Sequence, residues 1–141
     1  MTTRVYGVAQ YGTCSAVVED SAGAGAATNY TENQVTWIQQ NGFTTLSFRA
    51  TFTGATATGL PLQVRFPGAP NPRYSVPGVA SIRTMNLAAA GQSLEMLITS
   101  NATPAPVVRF NTIDYTAAIV ASVVNIAAAG TINGIVTYPS V

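Results

Sequence analysis

The clearest alternation of apolar and polar positions surrounds Asn41-Gly42. Asn-Gly is the strongest short signal for a two-residue type I′ loop, because both loop positions require positive φ. With those two residues in the loop, Gln40 opposes Phe43. The ladder then sets Ile38 against Thr45, Trp37 against Leu46, Thr36 against Ser47 and Val35 against Phe48. Opposed residues share a face, so one side of the hairpin is apolar and the other mostly polar. A slip of one residue would destroy that match, which fixes the register. Leu46, Phe48, Ala50 and Phe52 extend the apolar side along the second strand.

Further extended segments follow at short intervals: Leu62 to Phe66 with clean alternation, Val79 to Leu87, Leu94 to Thr99, Val107 to Tyr115, Ala117 to Ile126 and Ile132 to Tyr138. Turn-forming residues separate them, among them Gly59-Leu-Pro61, Pro67-Gly-Ala-Pro-Asn-Pro72, Pro77-Gly78 and Ala129-Gly130. A helix through 117–129 is the rival reading, and its β-branched content favours a strand. The pattern predicts an all-β, antiparallel β-sandwich or jelly roll of about eight strands over residues 29–141. Residues 1–28 read differently. Short extended pieces flank a turn signal at Tyr11-Gly12-Thr13, and Ser21-Ala-Gly-Ala-Gly-Ala-Ala-Thr28 has the composition of a flexible linker. The expectation is an extended N-terminal arm, a tether and a body.

Charge narrows the function classes. The chain of 141 residues has six cations, all Arg, and five acids, so 8% of it is charged and the net charge is +1. Ordinary soluble domains carry about 25% charged residues. A surface this poor in charge points to faces covered by other protein. Six single, scattered Arg residues offer no stripe for a polyanion, so the expectation is no nucleic-acid partner. No stretch reaches the roughly 18 apolar residues of a spanning helix, and the N-terminus lacks the apolar core of a secretion signal; the expectation is no membrane partner and no export.

Candidate chemistry is sparse. Without His or Lys, the usual Ser-His-Asp, Cys-His and Lys-based nucleophile arrangements have no base. One cysteine, Cys14, leaves no disulfide within the chain, and the carboxylates are too scattered for a metal site; no cofactor is expected. Glu95 and Asp114 are the one carboxylate pair in the later strands that a glycosidase could use, and each also reads as a solvated strand residue. The candidate residues are therefore interface residues: Arg4, Tyr6 and Tyr11 in the arm, and Arg73 and Tyr74 after the Pro-rich loop. Tyr and Arg are favoured interface anchors, and proline lowers the ordering cost of an exposed loop. A stiff loop crossing the sandwich edge accounts for Arg73 and Tyr74 equally well. Arg49 and Arg65 alternate with apolar neighbours, and either face solvent or pair with carbonyls or acids of another subunit.

Several segments of the body, taken together, resemble a known architecture. Tyr30-Thr31, Val35-Thr-Trp-Ile38, Leu46-Ser-Phe-Arg-Ala-Thr-Phe-Thr-Gly54, the Gly59-Leu-Pro-Leu-Gln-Val64 corner and Ala129-Gly-Thr-Ile-Asn-Gly-Ile-Val-Thr-Tyr138 resemble the β-sandwich heads of tailed-bacteriophage fibres and related trimeric virion proteins. The resemblance covers roughly 29–141, and the corner departs from the commoner Leu-Pro-Phe by having Leu62. It implies a structural, non-enzymatic virion protein. The short length favours a homotrimeric capsid decoration or cement protein, bound to the major capsid protein on the capsid exterior after synthesis in the host cytoplasm. A receptor-binding head of a tail fibre or tailspike is the alternative.

Overall fold

The computed structural model describes residues 7–74, 76–81, 92–99, 105–114 and 120–140. Among them the chain is all-β, without a helix, and its ladders are antiparallel. The strands are β1 (Gln10–Cys14), β2 (Val17–Asp20), β3 (Asn29–Gln40), β4 (Phe43–Thr53), β5 (Leu62–Arg65), β6 (Val76–Ser81), β7 (Gln92–Thr99), β8 (Val107–Asp114), β9 (Val120–Val123) and β10 (Gly130–Pro139). The segment weighed as helix or strand holds β9; its residues 117–119 lie outside the described residues, as does the later part of the segment expected from Val79 to Leu87.

The β3–β4 hairpin has the register that the alternation predicts. Trp37 pairs with Leu46, Val35 with Phe48, and Gln40 with Phe43. Asn41 and Gly42 both take positive φ, 53° and 79°, as a type I′ loop requires. The register shifts only near Tyr30 and Glu32, where a bulge interrupts the ladder.

Two sheets share one core. The first runs β1-β3-β4-β10; the second runs β7-β8-β5-β2, with β9 also on β8. Strand β6 belongs to both: Val79, Ala80 and Ser81 pair with β10, whereas Val76, Pro77 and Gly78 pair with β7. Leu46, Phe48, Phe52, Ile132 and Tyr138 from the first sheet pack in one buried cluster with Val18, Leu62, Val64, Phe66, Val108 and Phe110 from the second. The rings of Phe48 and Phe66 meet across it at 4.9 Å between centroids. The arrangement is sandwich-like, and fully burying each such ring contributes roughly 1.5–3 kcal/mol.

Pro77-Gly78 is not a separator but part of β6. The described ladder with β10 ends at Val79, so Pro77 sits where the strand is paired on one side, the position in a sheet that tolerates a missing N–H.

The stretch expected to be an arm and tether is folded into the body from Gln10 onward. Tyr11-Gly12-Thr13 is the middle of β1, not a turn, and Gly12 pairs with Trp37. The Trp37 ring lies across Gly12 so closely that any Cβ there would collide with it. Glycine is thus demanded by the size of its neighbour rather than by a bend. At Ser15-Ala16 the chain passes from the first sheet to the second, where β2 pairs with β5. Asn33 holds the crossing: its Oδ1 accepts the Ala16 N–H at 2.7 Å and its Nδ2 donates to the Ala16 carbonyl at 2.9 Å. The Val18 N–H donates to the Tyr30 hydroxyl at 3.0 Å. Ala16 and Val18 are core residues.

The expected tether is also held. Asp20 Oδ1 accepts the N–H groups of Ala22 and Ala24, both at 2.9 Å, and the Thr58 hydroxyl donates to Oδ2 at 2.9 Å. The Gly23 N–H donates to the Asp20 carbonyl. A carboxylate at the start of an Ala/Gly run has turned a flexible composition into a closed loop.

Candidate functional site

The outer side of the first sheet is built from hydroxyl rows. Strand register places Tyr11, Ile38, Thr45 and Thr137 side by side, then Thr13, Thr36, Ser47 and Ile135, then Gln34, Arg49 and Asn133. The Thr45 and Thr137 hydroxyls share a hydrogen bond at 2.9 Å, and those of Thr51 and Thr131 one at 3.0 Å. One acid and one base of this face satisfy each other, since Arg49 Nε donates to Glu32 at 2.8 Å. Around Ser47 lies an open depression of about 420 Å³, bordered by Gln34, Thr36, Arg49, Asn133 and Ile135.

Exposed apolar side chains concentrate here. Among the described residues seven large hydrophobic side chains are exposed: Val8, Tyr11, Ile38, Phe43, Leu60, Tyr74 and Ile135. Tyr11, Ile38 and Ile135 lie on this face, Phe43 ends it at the hairpin loop, and Val8 leads into its edge strand. Singly exposed apolar residues are ordinary; here a set is gathered on one face whose described charges are paired with each other.

The Pro-rich loop meets the same end of the sheet. The Tyr138 hydroxyl donates to the Pro70 carbonyl at 2.7 Å, and burial pushes that phenol well above its ordinary pKa. The Arg73 N–H donates to the Pro139 carbonyl and Arg73 Nε to the Ser140 carbonyl, each at 2.8 Å. Ser140 itself ties Gln39, Gly42 and Thr44 together. Arg73 therefore works first as an internal clamp, while Tyr74 beside it remains 57% exposed. Of the interface residues expected from the sequence, Tyr11 is 72% exposed on β1, and Arg73 and Tyr74 stand at that strand's starting end of the sheet. Arg4 and Tyr6 lie outside the described residues. Ile38, Phe43 and Ile135 were not among the expected residues, although Ile38 already stood on the polar side of the alternation.

The second sheet's outer side holds charge in a different way. Glu19, at 3% exposure, accepts from Gln63 Nε2 at 3.0 Å and from Arg65 through Nε at 2.8 Å and Nη2 at 3.3 Å. The carboxylate raises the Arg65 pKa further above its ordinary value, chiefly by accepting its hydrogen bonds. Gln63 Oε1 is buried without a partner. Arg49 and Arg65 both stand on the outer sides of their sheets, and each pairs with an acid of its own chain, a partner that neither expected alternative, solvent or another subunit's groups, included. Asp20 has its pKa lowered, first by the Ala24 N–H and then by Thr58 and the other loop donors, against the opposing effect of burial. On β1, burial raises the Cys14 thiol.

The two carboxylate residues considered for glycoside hydrolysis lie on neighbouring strands, β7 and β8, and do not face each other in the register. Asp114 pairs with Gln92 and Glu95 with Asn111, register positions three residues apart. Among the described residues no cluster of three or more Asp, Glu, His or Cys could hold a metal ion, and no helix is long and apolar enough to cross a membrane. No protein-family model, curated protein or solved structure matches the chain.

Proposed function

We propose that this chain is a structural virion protein of a tailed bacteriophage: a capsid decoration or cement protein that self-associates, as a homotrimer, and bridges subunits of the major capsid protein without covalent bonds. The observation that carries the reading is the outer face of the first sheet, where exposed apolar side chains sit among hydroxyls and the charges are already paired. Such a face gains by being covered, because each apolar side chain removed from water contributes and no unpaired charge must be desolvated. The pattern of segments shared with phage virion heads supports the same reading, and we take the two sheets as a jelly-roll sandwich on that basis. Residues 10–28 serve here as a folded edge of the body rather than as a free arm, so deleting them would remove core residues as well as contacts.

Fractionation of virions that carry this chain, with mass spectrometry of separated capsids and tails, tests the location. Capsid occupancy that falls in Ile38→Glu and Ile135→Glu variants, with unchanged melting of the free protein, supports the surface. Recovery with tails, or binding of the isolated protein to host cells that Tyr74→Ala removes, would replace cement by the receptor-binding head. Light scattering of the purified chain checks the trimer.

A further inference from the structure

Among the described residues, the outer edge of β1 is unpaired. β1 ends the strand order and, among the described residues, pairs with β3 alone. Its other side therefore offers a row of backbone N–H and C=O groups to an incoming strand. Folded proteins guard such a row by keeping the strand short, by a charge, a proline or a bulge, or by covering it; β1, at five residues, has the first of these. Gly7-Val-Ala-Gln-Tyr-Gly-Thr-Cys14 contains neither a charge nor a proline, and the β1–β3 register has no shift. The strand at the opposite end of the order, β2, is different: it carries Glu19 and Asp20. Two further facts gather at β1. Val8 and Tyr11 are 92% and 72% exposed, and Trp37 Nε1, whose indole lies across Gly12, is buried with no acceptor.

We propose that β1 joins two copies of this chain, edge to edge and antiparallel, about a two-fold axis at Gly12. That axis sets Gly12 against its own equivalent, Tyr11 against Thr13 of the second copy, and Gln10 against Cys14 of the second copy. A two-fold contact repeats every charge near itself, so an uncharged strand is suited to a second copy in a way that β2 is not. Glycine at the axis leaves no side chain between the two indoles, each of which crosses its own Gly12. The incoming strand brings backbone carbonyls and the Gln10 carboxamide to the layer in which Trp37 Nε1 lacks an acceptor. On the outer side Tyr11 gains a β-branched cross-strand neighbour, a favourable pairing. The two first sheets become one continuous sheet with no exposed edge at β1. This contact does not depend on the virion reading; a trimer that also uses it becomes a hexamer.

Sedimentation velocity of the full chain over a concentration series tests the proposal. Wild type should form an even-numbered species, and emission from Trp37, the one tryptophan of the chain, should change over the same concentrations. Tyr11→Lys combined with Thr13→Lys sets like charges opposite one another and should weaken association at least about tenfold. Tyr11→Lys combined with Thr13→Glu sets Lys opposite Glu in the same register and should restore it. Both side chains project from the exposed outer side, so thermal melts of both variants should stay near wild type. A wild-type chain that remains monomeric or forms only trimers would overturn the proposal, as would two double variants that associate equally.

Discussion

Two glutamate–arginine pairs, made of the same groups at the same 2.8 Å, sit on the outer sides of the two sheets. The Arg49 and Glu32 side chains keep 56% and 40% of their exposure; Arg65 and Glu19 keep 33% and 4%. The first pair neutralises a surface, because water already solvates both partners and their attraction adds little. The second organises an interior, because Glu19 has given up its hydration and, among the described residues, takes its side-chain donors from Gln63 and Arg65. Equal geometry therefore carries unequal weight, and burial decides which pair the fold needs.

Glu19→Ala should break this contrast most sharply. It strands Gln63 Nε2 and leaves Arg65 with only its remaining water contact, for a loss of about 2–3 kcal/mol, below the fully buried case because Arg65 stays partly hydrated. A thermal melt should fall by roughly 8 °C; a change under about 2 °C would mean that water replaces the lost acceptor. A smaller, pH-dependent effect belongs to Asp20. Its folded pKa is lowered, so its stabilisation is full above the ordinary aspartate value and disappears as pH falls through the lower folded value. Asp20→Asn should flatten this acid limb in melts taken between about pH 5 and 2, since the amide keeps an acceptor but has no charge to lose; an unchanged limb would assign acid sensitivity to other carboxylates. Smallest of all is Glu32→Ala, expected to cost under about 1 kcal/mol and to depend on salt. A loss as large as that of Glu19→Ala would abolish the distinction between the two sheets.

The hairpin was legible because its determinants are local: a loop dipeptide and a period of two fix β3 and β4 without reference to the rest of the chain. β1 was not, because the reason for Gly12 lies in the indole of a residue distant in sequence. Residues 21–28 mislead in the same way, since their composition says nothing of an Asp20 carboxylate closing over them. The partners of Arg49 and Arg65 depend on strand pairings that alternation cannot reveal. Of the candidate surface, Tyr11 and Tyr74 were visible as residue types, and Ile38 as an apolar residue on a polar side. Their gathering on one face required the order of strands.

That order has a bearing on synthesis. β10, the last strand of the sequence, lies between β4 and β6 and forms a ladder with β4 along its whole length. A growing chain on the ribosome therefore holds β3 and β4 with one side of β4 open until residues 130–139 emerge. Pairing across so long a separation is slow, and an open apolar strand is prone to wrong partners while it waits. Loss of the final strand would not trim an edge from this molecule; it would divide the first sheet from the strand that links it to the second.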